Sequence, residues 1–476
     1  MRQGNPGCFA AGAVLGYRAG MRLFESLAEA RTLARLAWPV MLTSLNWTFM
    51  HLIDVAVVGH AGTSELGALA AARAILYILL VTGLSGLSGI LVFVSRADGA
   101  GRQRETGDTL RAGLMLALGI GCAASLLLLF FAEPLILAAG VAPDLAPAGA
   151  RVGRVMALAF PAQFTVAAAA YFLEGASQPR RVTLVNFSIL PMNALLAWIL
   201  ADGRFGMPAM GAVGAATATA IASWTGAILI AVSVWTLPDA KARGVHDLSA
   251  AAWARARALV PGIARFGAVP ALAAGLELLG FSILIALSTR LGTITAAAFQ
   301  AVFSLHNLGF ALGLGMGSAT GVRVGHAMGA GTPQLALPRA LIAAGLALTL
   351  MAGLALAYLF AAPTIVGIFS GDQAVVTLGA TLLARLALFM PFDGLQAVFL
   401  YALRSLGDQV AAGLNGIVGF FVVTGGLGWL LVSSGGGAFS LVWAAGIGML
   451  VTATLQGTRL LVVCRRISAQ PKIPQS

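Results

Sequence analysis

Three acidic side chains lie inside long apolar segments of the sequence: Asp54, Glu277 and Asp393. An ionised carboxylate at the middle of a membrane-spanning helix costs about 2.5–3.5 kcal/mol on insertion scales, so such a residue normally faces a water-filled cavity or a partner. A carboxylate in that setting can bind a cation or carry a proton. The alternative is a structural hydrogen bond between helices, made by the protonated acid. We favour a cation or proton site for each of the three.

Asp54 shares one helical face with Thr43, Trp47 and His51, which precede it at spacings of three and four residues. His51 could be a pH-sensitive partner of the acid, because imidazole titrates near neutral pH. Alternatively, His51 is a hydrogen-bonded packing residue. Arg73, near the end of the next apolar segment, is expected to extend its guanidinium to the membrane interface.

The elements that must position these acids are membrane-spanning helices. Of the 476 residues 59% are hydrophobic and 10% are charged, whereas soluble domains carry about 25% charged residues. A spanning helix needs about 20 mostly apolar residues, and twelve such segments lie between residues 36 and 464. The sequence therefore predicts an all-α membrane protein of twelve transmembrane helices.

Positive charge is concentrated in alternate loops. Basic residues fall near 96–111, 180–181, 241–265 and 459–472, whereas the intervening loops carry few. Cytoplasmic loops are enriched in Lys and Arg, so both termini are expected in the cytoplasm, with the protein in a bacterial inner membrane. The net charge of +12 is accounted for by this topology, and no nucleic-acid partner is expected.

The chain also repeats itself at an offset of 230 residues. Pro161 and Tyr171 match Pro391 and Tyr401, and the loop at 94–101 matches the loop at 324–331. Six spans per unit place both units in the same orientation, related by a pseudo-two-fold axis along the membrane normal. The matched prolines predict a helix bend used in both units.

The repeat divides the chain into five predicted regions. These are a disordered extension (1–25), an N-lobe of spans 1–6 (26–238), a cytoplasmic linker (239–262), a C-lobe of spans 7–12 (263–464) and a cytoplasmic tail (465–476). The acids are not repeated between the two units, because Glu277 aligns with Trp47 and Asp393 aligns with Gln163 at the 230-residue offset. Each lobe is therefore expected to hold its own site.

Three segments resemble the multidrug and toxic compound extrusion (MATE) family, in its NorM/DinF-like branch. They are the first span with its Pro39, Asp54 and following Val-Gly-His-Ala-Gly, the loop Val324-Gly-His-Ala-Met-Gly-Ala-Gly, and Pro391-Phe-Asp-Gly-Leu-Gln through Asp408. The resemblance covers nearly all of residues 30–465. It implies a secondary multidrug efflux antiporter that exports organic, mostly cationic compounds in exchange for Na⁺ or H⁺ by alternating access.

The resemblance also assigns roles to residues. Asp54 matches the family's N-lobe acid, and Asn193 and Thr219 match its polar partners. Glu277 and Asp393 match a C-lobe cation pair, which could hold Na⁺; no other metal and no cofactor are expected. Ala197 and Phe389 depart from the family pattern, since many members carry Asp or Asn at the first position and some carry Tyr at the second.

Other classes of function remain alternatives. A flippase for lipid-linked oligosaccharides would line its cavity with cations to meet pyrophosphate, whereas the charges within these spans are mainly acids. A major-facilitator carrier would have a different loop between spans 2 and 3. A membrane-embedded enzyme would need clustered metal ligands or a nucleophile beside a base, and the five His are scattered. Small organic substrates and membrane lipids are the expected partners of a monomer.

Overall fold

The computed structural model describes residues 6–469, with side chains from Glu25 to Ile467 and at Ala469, and in this part of the chain every regular element is helical. We use α1–α17 for the α-helices. Those of the N-lobe are α1 (Pro6–Ala61), α2 (Thr63–Gly86), α3 (Gly89–Gly99), α4 (Gln103–Ala138), α5 (Ala146–Ala157), α6 (Phe160–Gly175), α7 (Pro179–Asp202) and α8 (Gly211–Trp235).

The second half of the chain begins with α9 (Ala250–Arg290), which is the longest helix of that half. Its α-helices are α9 (Ala250–Arg290), α10 (Thr293–Gly329), α11 (Ala336–Phe360), α12 (Ala362–Gly367), α13 (Gln373–Ala387), α14 (Met390–Leu406), α15 (Gln409–Gly416), α16 (Gly428–Ser433) and α17 (Phe439–Ala469). A π-helical stretch, Ile417–Leu427, joins α15 to α16, so the three form one continuous rod.

Ten helical rods in the described residues are long and apolar enough to cross a membrane, and the number rises to twelve if each of two bent pairs is one span. The bent pairs are α5 with α6 and α13 with α14, and each bends by 49°. The second helix of each pair has its proline, Pro161 or Pro391, in the first turn, where the missing N–H costs no helical hydrogen bond. The predicted matched bends are confirmed.

Two predicted boundaries differ from the structure. Helix α1 begins at Pro6, inside the extension expected to be disordered, because the Ala-rich run that follows Pro6 favours a helix. Helix α9 begins at Ala250, so the second part of the predicted linker continues into the seventh span as one helix. Ser249 starts this helix by accepting a hydrogen bond from the Ala252 N–H, at 3.2 Å.

The repeat extends to individual backbone torsions. Gly62 and Gly292 precede equivalent helices with φ of 130° and 106°, and Gly101 and Gly331 close equivalent loops with φ of 70° and 68°. Positive φ at these values strains any residue with a Cβ, which explains why glycine stands at both positions of each pair. The two lobes therefore share their turns as well as their spans.

Each lobe has its own apolar core. Buried aromatic side chains such as Phe160, Phe164 and Phe172 fill the N-lobe, and Phe281, Phe299 and Met390 belong to the C-lobe core. A third cluster crosses between the lobes, with Leu33, Ala37 and Leu91 packed against residues of α10 and α14. The lobes are thus separate packing units with a common apolar contact.

The backbones of the two lobes touch at the end of the bundle that carries the basic loops, which we call the basic end. A Cβ placed on Gly99 would lie 2.5 Å from Cα of His326, and one on Gly329 would lie 2.0 Å from the Arg96 carbonyl oxygen. Gly267 and Gly86 meet in the same way on α9 and α2. Small residues let helix backbones touch, so the basic end is closed in this structure.

Candidate functional site

Asp54 is buried near the C-terminal end of α1, with 7% of its surface exposed. Asn193 of α7 donates a hydrogen bond from Nδ2 to Asp54 Oδ1 at 3.2 Å. A guanidinium nitrogen of Arg73, on α2, lies 3.7 Å from Asp54 Oδ2. The carboxylate therefore has a neutral donor on one oxygen and a cation beside the other.

Of the three polar residues expected to support Asp54, the structure brings Asn193 into direct contact. Thr219 is buried, but its hydroxyl donates to the Ala215 carbonyl of its own helix at 3.1 Å. The His51 ring lies 6.4 Å from the Trp47 ring, and its backbone carbonyl accepts a hydrogen bond from Arg73 at 3.2 Å. His51 thus contributes a backbone acceptor near the site.

Arg73 has a partner within the bundle, whereas the sequence predicted that its guanidinium extends to the membrane interface. Its guanidinium holds the Asp54 carboxylate and the His51 carbonyl, and its side chain is 29% exposed. An acid within reach gives an arginine inside the membrane a partner that hydrocarbon does not offer. The sequence could not reveal this pair, because the loop between α1 and α2 sets which faces of the two helices meet.

Asp393 lies in the first turn of α14 and is 1% exposed. Gln396 donates from Nε2 to its Oδ1 at 3.4 Å, and Nε2 of His306 on α10 lies 3.5 Å from its Oδ2. The His306 ring stacks on Phe281, with ring centroids 5.4 Å apart. His306 was missed by sequence reasoning, although a histidine in the middle of an apolar span was a signal.

Glu277 is half-buried on α9 and faces the same region. It interacts electrostatically with Asp393 and with Arg404 of α14. The charge of Glu277 also acts on Tyr77 of α2, which belongs to the N-lobe. The structure therefore brings together the two C-lobe acids that lie more than a hundred residues apart in the sequence. Among the described residues, no group of three or more His, Cys, Asp or Glu is arranged to hold a metal ion.

A further buried acid, Glu174, lies between the lobes and was missed by sequence reasoning. It lies in the last turn of α6, and the hydroxyl of Ser318 on α10 donates to its Oε2 at 2.6 Å. Tyr171 and Tyr401, a matched pair of the repeat, both interact with Glu174 and with Arg404. Glu174 and Arg404 also stand at equivalent positions of the repeat, so the two lobes carry opposite charges at matching positions.

Ion pairs join the lobes and the linker at the basic end. Asp98 of α3 contacts Arg243 of the linker at 2.7 Å and His326 of the C-lobe at 3.3 Å. Glu29 of α1 accepts two hydrogen bonds from Arg323 of α10, each at 2.6 Å. These contacts reinforce the glycine-mediated closure described above.

Comparison with known proteins identifies relatives along nearly the whole chain. The MatE family model matches residues 39–199 and 271–430, one block in each lobe. A protein named probable multidrug resistance protein NorM from Xanthomonas axonopodis pv. citri is 30% identical over 443 residues, covering 93% of this chain and 96% of its own. The protein of the same name from Deinococcus radiodurans is 32% identical, covering 92% and 95%.

Solved structures show the same fold. The eukaryotic MATE transporter AtDTX14 superposes with a TM-score of 0.84 at 20% identity, covering 93% of this chain and 98% of its own. A multidrug resistance MATE family transporter in an outward-facing conformation superposes with a TM-score of 0.82 at 20% identity, covering 94% and 97%.

Two helical lobes with buried acids in the membrane define this protein as a two-lobed membrane transporter. The chain belongs to the MATE family of multidrug efflux transporters, and its relatives include NorM proteins. It is an integral membrane protein of a bacterial membrane and a transporter of small organic compounds. It is not an enzyme, which answers the alternative of membrane-embedded catalysis.

Proposed function

We propose that this protein is a secondary antiporter that exports organic cations from the cytoplasm as H⁺ or Na⁺ enters. The observation that carries the proposal is the convergence of Glu277 and Asp393 in the C-lobe. Two carboxylates that interact as like charges repel each other, and that repulsion falls when either of them binds a proton or a cation. Such a pair is suited to exchange one positive charge for another.

Alternating access follows from the two-lobed frame. In this proposal the basic end faces the cytoplasm, in agreement with the preference of Lys and Arg for that side. With the basic end closed, exchange of ions and substrate with the acids takes place, in this proposal, on the outer side. Entry of a proton or Na⁺ neutralises the acids and weakens their hold on the organic cation, which leaves outward. The lobes then rock to open the basic end, around a site that stays fixed.

The apolar surroundings of the acids support a broad choice of substrate. Aromatic rings of Phe281, Phe303 and Phe310 surround His306 beside Asp393. Aromatic faces attract organic cations, and an apolar wall accepts bodies of different shape because it makes no hydrogen bonds that fix one orientation. We therefore expect monovalent organic cations with apolar bodies to be exported by a monomer.

The experiment that tests the antiport is transport of a fluorescent organic cation in proteoliposomes. A Na⁺ gradient and a proton gradient are imposed separately, and at least one of them should drive efflux. Glu277→Gln and Asp393→Asn should each abolish gradient-driven efflux. Asp144→Asn is the matched control, because Asp144 is exposed outside the helices.

Three outcomes contradict the proposal. Efflux that neither gradient drives would show that the protein is not an ion-coupled antiporter. Coupled efflux that survives both C-lobe substitutions would place the coupling site elsewhere. Movement of a lipid-linked oligosaccharide in the same vesicles, without transport of the cation, would favour the flippase alternative.

A further inference from the structure

The N-lobe acid has a cation of its own. Arg73 approaches Asp54 to 3.7 Å, while the side chain of Asp54 is 10% exposed and that of Arg73 is 29% exposed. The pair leaves the N-lobe site with no net charge when Asp54 is ionised. The C-lobe differs because Glu277 interacts there with a like charge, Asp393, as well as with Arg404.

The face of α2 that carries Arg73 also carries Tyr77, which interacts with Glu277 of the C-lobe. Tyr77 lies one helical turn after Arg73, so the two side chains share a face. Tyr77 is 46% exposed and interacts with Glu277 of α9. If the Arg73 guanidinium lost its contact with Asp54, its positive charge would therefore remain at the boundary between the two lobes.

Few other charged groups face Asp54. From α2 it meets Arg73, from α7 it meets the neutral amide of Asn193, and on its own helix the nearest titratable group is His51, which feels the charge of Arg73. A proton taken up by Asp54 therefore changes the charge of this site from zero to +1, with the added charge residing on Arg73.

We propose that Arg73 is a tethered cation that competes with the organic cation for Asp54 and repels it from the cleft once Asp54 is protonated. The proton binds to a carboxylate oxygen of Asp54, the ion pair is lost, and no covalent bond other than the O–H bond forms. The proposal rests on the proposed antiport, to which it adds a specificity-determining residue. It predicts that Arg73 sets both the affinity for cationic cargo and its dependence on pH.

The test is equilibrium binding of the monovalent cation tetraphenylphosphonium to purified protein at pH 8 and pH 6. At pH 8, Arg73→Gln should bind it roughly tenfold more tightly than the wild type, because one positive charge has been removed near the site. Arg73→Lys should behave like the wild type. The wild type should lose affinity between pH 8 and pH 6, and Arg73→Gln should lose less.

A double-substitution cycle separates charge from damage to the fold. Asp54→Asn alone leaves Arg73 unpaired and should bind the cation most weakly. Adding Arg73→Gln to Asp54→Asn should raise the affinity again, at both pH values. Arg154→Gln is the matched control, because Arg154 is an exposed arginine on α5 of the same lobe. Gel filtration of each variant reports whether it folds.

The proposal is overturned if Arg73→Gln binds like the wild type at both pH values, or if the double variant binds no more tightly than Asp54→Asn. Gradient-driven efflux by wild-type vesicles tests the antiport independently. Efflux that depends on Glu277 and Asp393 with no effect of Arg73 would reject the tethered cation alone. Affinities in the predicted order without gradient-driven efflux would reject the antiport alone.

Discussion

At the scale of single residues, the buried charges are more numerous and better partnered than the sequence indicated. Asp54, Glu277 and Asp393 were recognised because an acid in an apolar run is conspicuous. Their partners were harder to identify, because Asn193 is 139 positions from Asp54 and Arg404 is 127 positions from Glu277. Contact between such residues depends on how the helices are rotated against each other, which no local pattern encodes.

Glu174 offers a direct test of one such buried partner. Ser318→Ala removes the hydroxyl that donates to its Oε2, leaving a buried acceptor with one hydrogen bond fewer. We expect the substitution to destabilise the protein by about 1–3 kcal/mol, the usual cost of an unsatisfied buried polar group. Chemical unfolding in detergent measures the change.

Ser304→Ala is the matched control for this experiment. Ser304 lies on the same helix, and its hydroxyl donates to the Gln300 carbonyl one turn earlier. Equal losses for Ser304→Ala and Ser318→Ala would show that the contact with Glu174 adds nothing to stability.

At the scale of elements, the linker is held by a small polar cluster before α9. Asp247 accepts hydrogen bonds from the Ser249 N–H at 3.2 Å and from Arg104 at 3.3 Å. Hydrogen bonds from Ser249, with further ones from Arg104 and Arg255, hold the pKa of Asp247 well below its usual range. A carboxyl with a lowered pKa in the folded state stabilises that state above its unfolded pKa, and the effect is lost as the pH falls.

Asp247→Asn should therefore reduce stability at neutral pH, and the difference from wild type should shrink as the pH falls below about 4, the ordinary range of aspartate. Thermal unfolding in detergent at pH 7 and at pH 3 measures both points. Asp144→Asn, in a loop at the opposite end, is the control. A difference that stays constant with pH would show that the ionised carboxylate is not the stabilising form.

At the scale of the whole molecule, closure of the basic end depends on glycines that have no room for a side chain. Gly329→Ala would place a methyl group against the Arg96 carbonyl oxygen, 2.0 Å away before any adjustment. The lobes must separate there to relieve the clash, so we expect the population to shift toward molecules open at the basic end.

Spin labels on Arg102 and Gln334, in a background without the native cysteines, report this distance across the basic end. The distance distribution should move to larger values in Gly329→Ala. Gly353→Ala is the matched control, because a Cβ at that position meets nothing within 4 Å. An unchanged distribution in Gly329→Ala would mean that the helix bends locally and the lobes stay closed.

The sequence by itself determined the membrane class, the repeat and the acids. Apolar runs of spanning length, basic loops on one side and the 230-residue offset need no knowledge of packing, because each depends on composition and order along the chain. The matched bends at Pro161 and Pro391 belong here too, since proline restricts the backbone locally. Family membership followed from short motifs in the same order.

Only the tertiary structure decided which charges meet. The same helices could be rotated to place Arg73 at the membrane interface and His306 away from Asp393, with little change in the apolar pattern. Packing of small residues and aromatic rings fixes one rotation for each helix, and it pairs Arg73 with Asp54. The two lobes therefore carry different buried charges although they share the repeated fold. Apolar packing sets the fold, whereas a few polar contacts set the coupling chemistry.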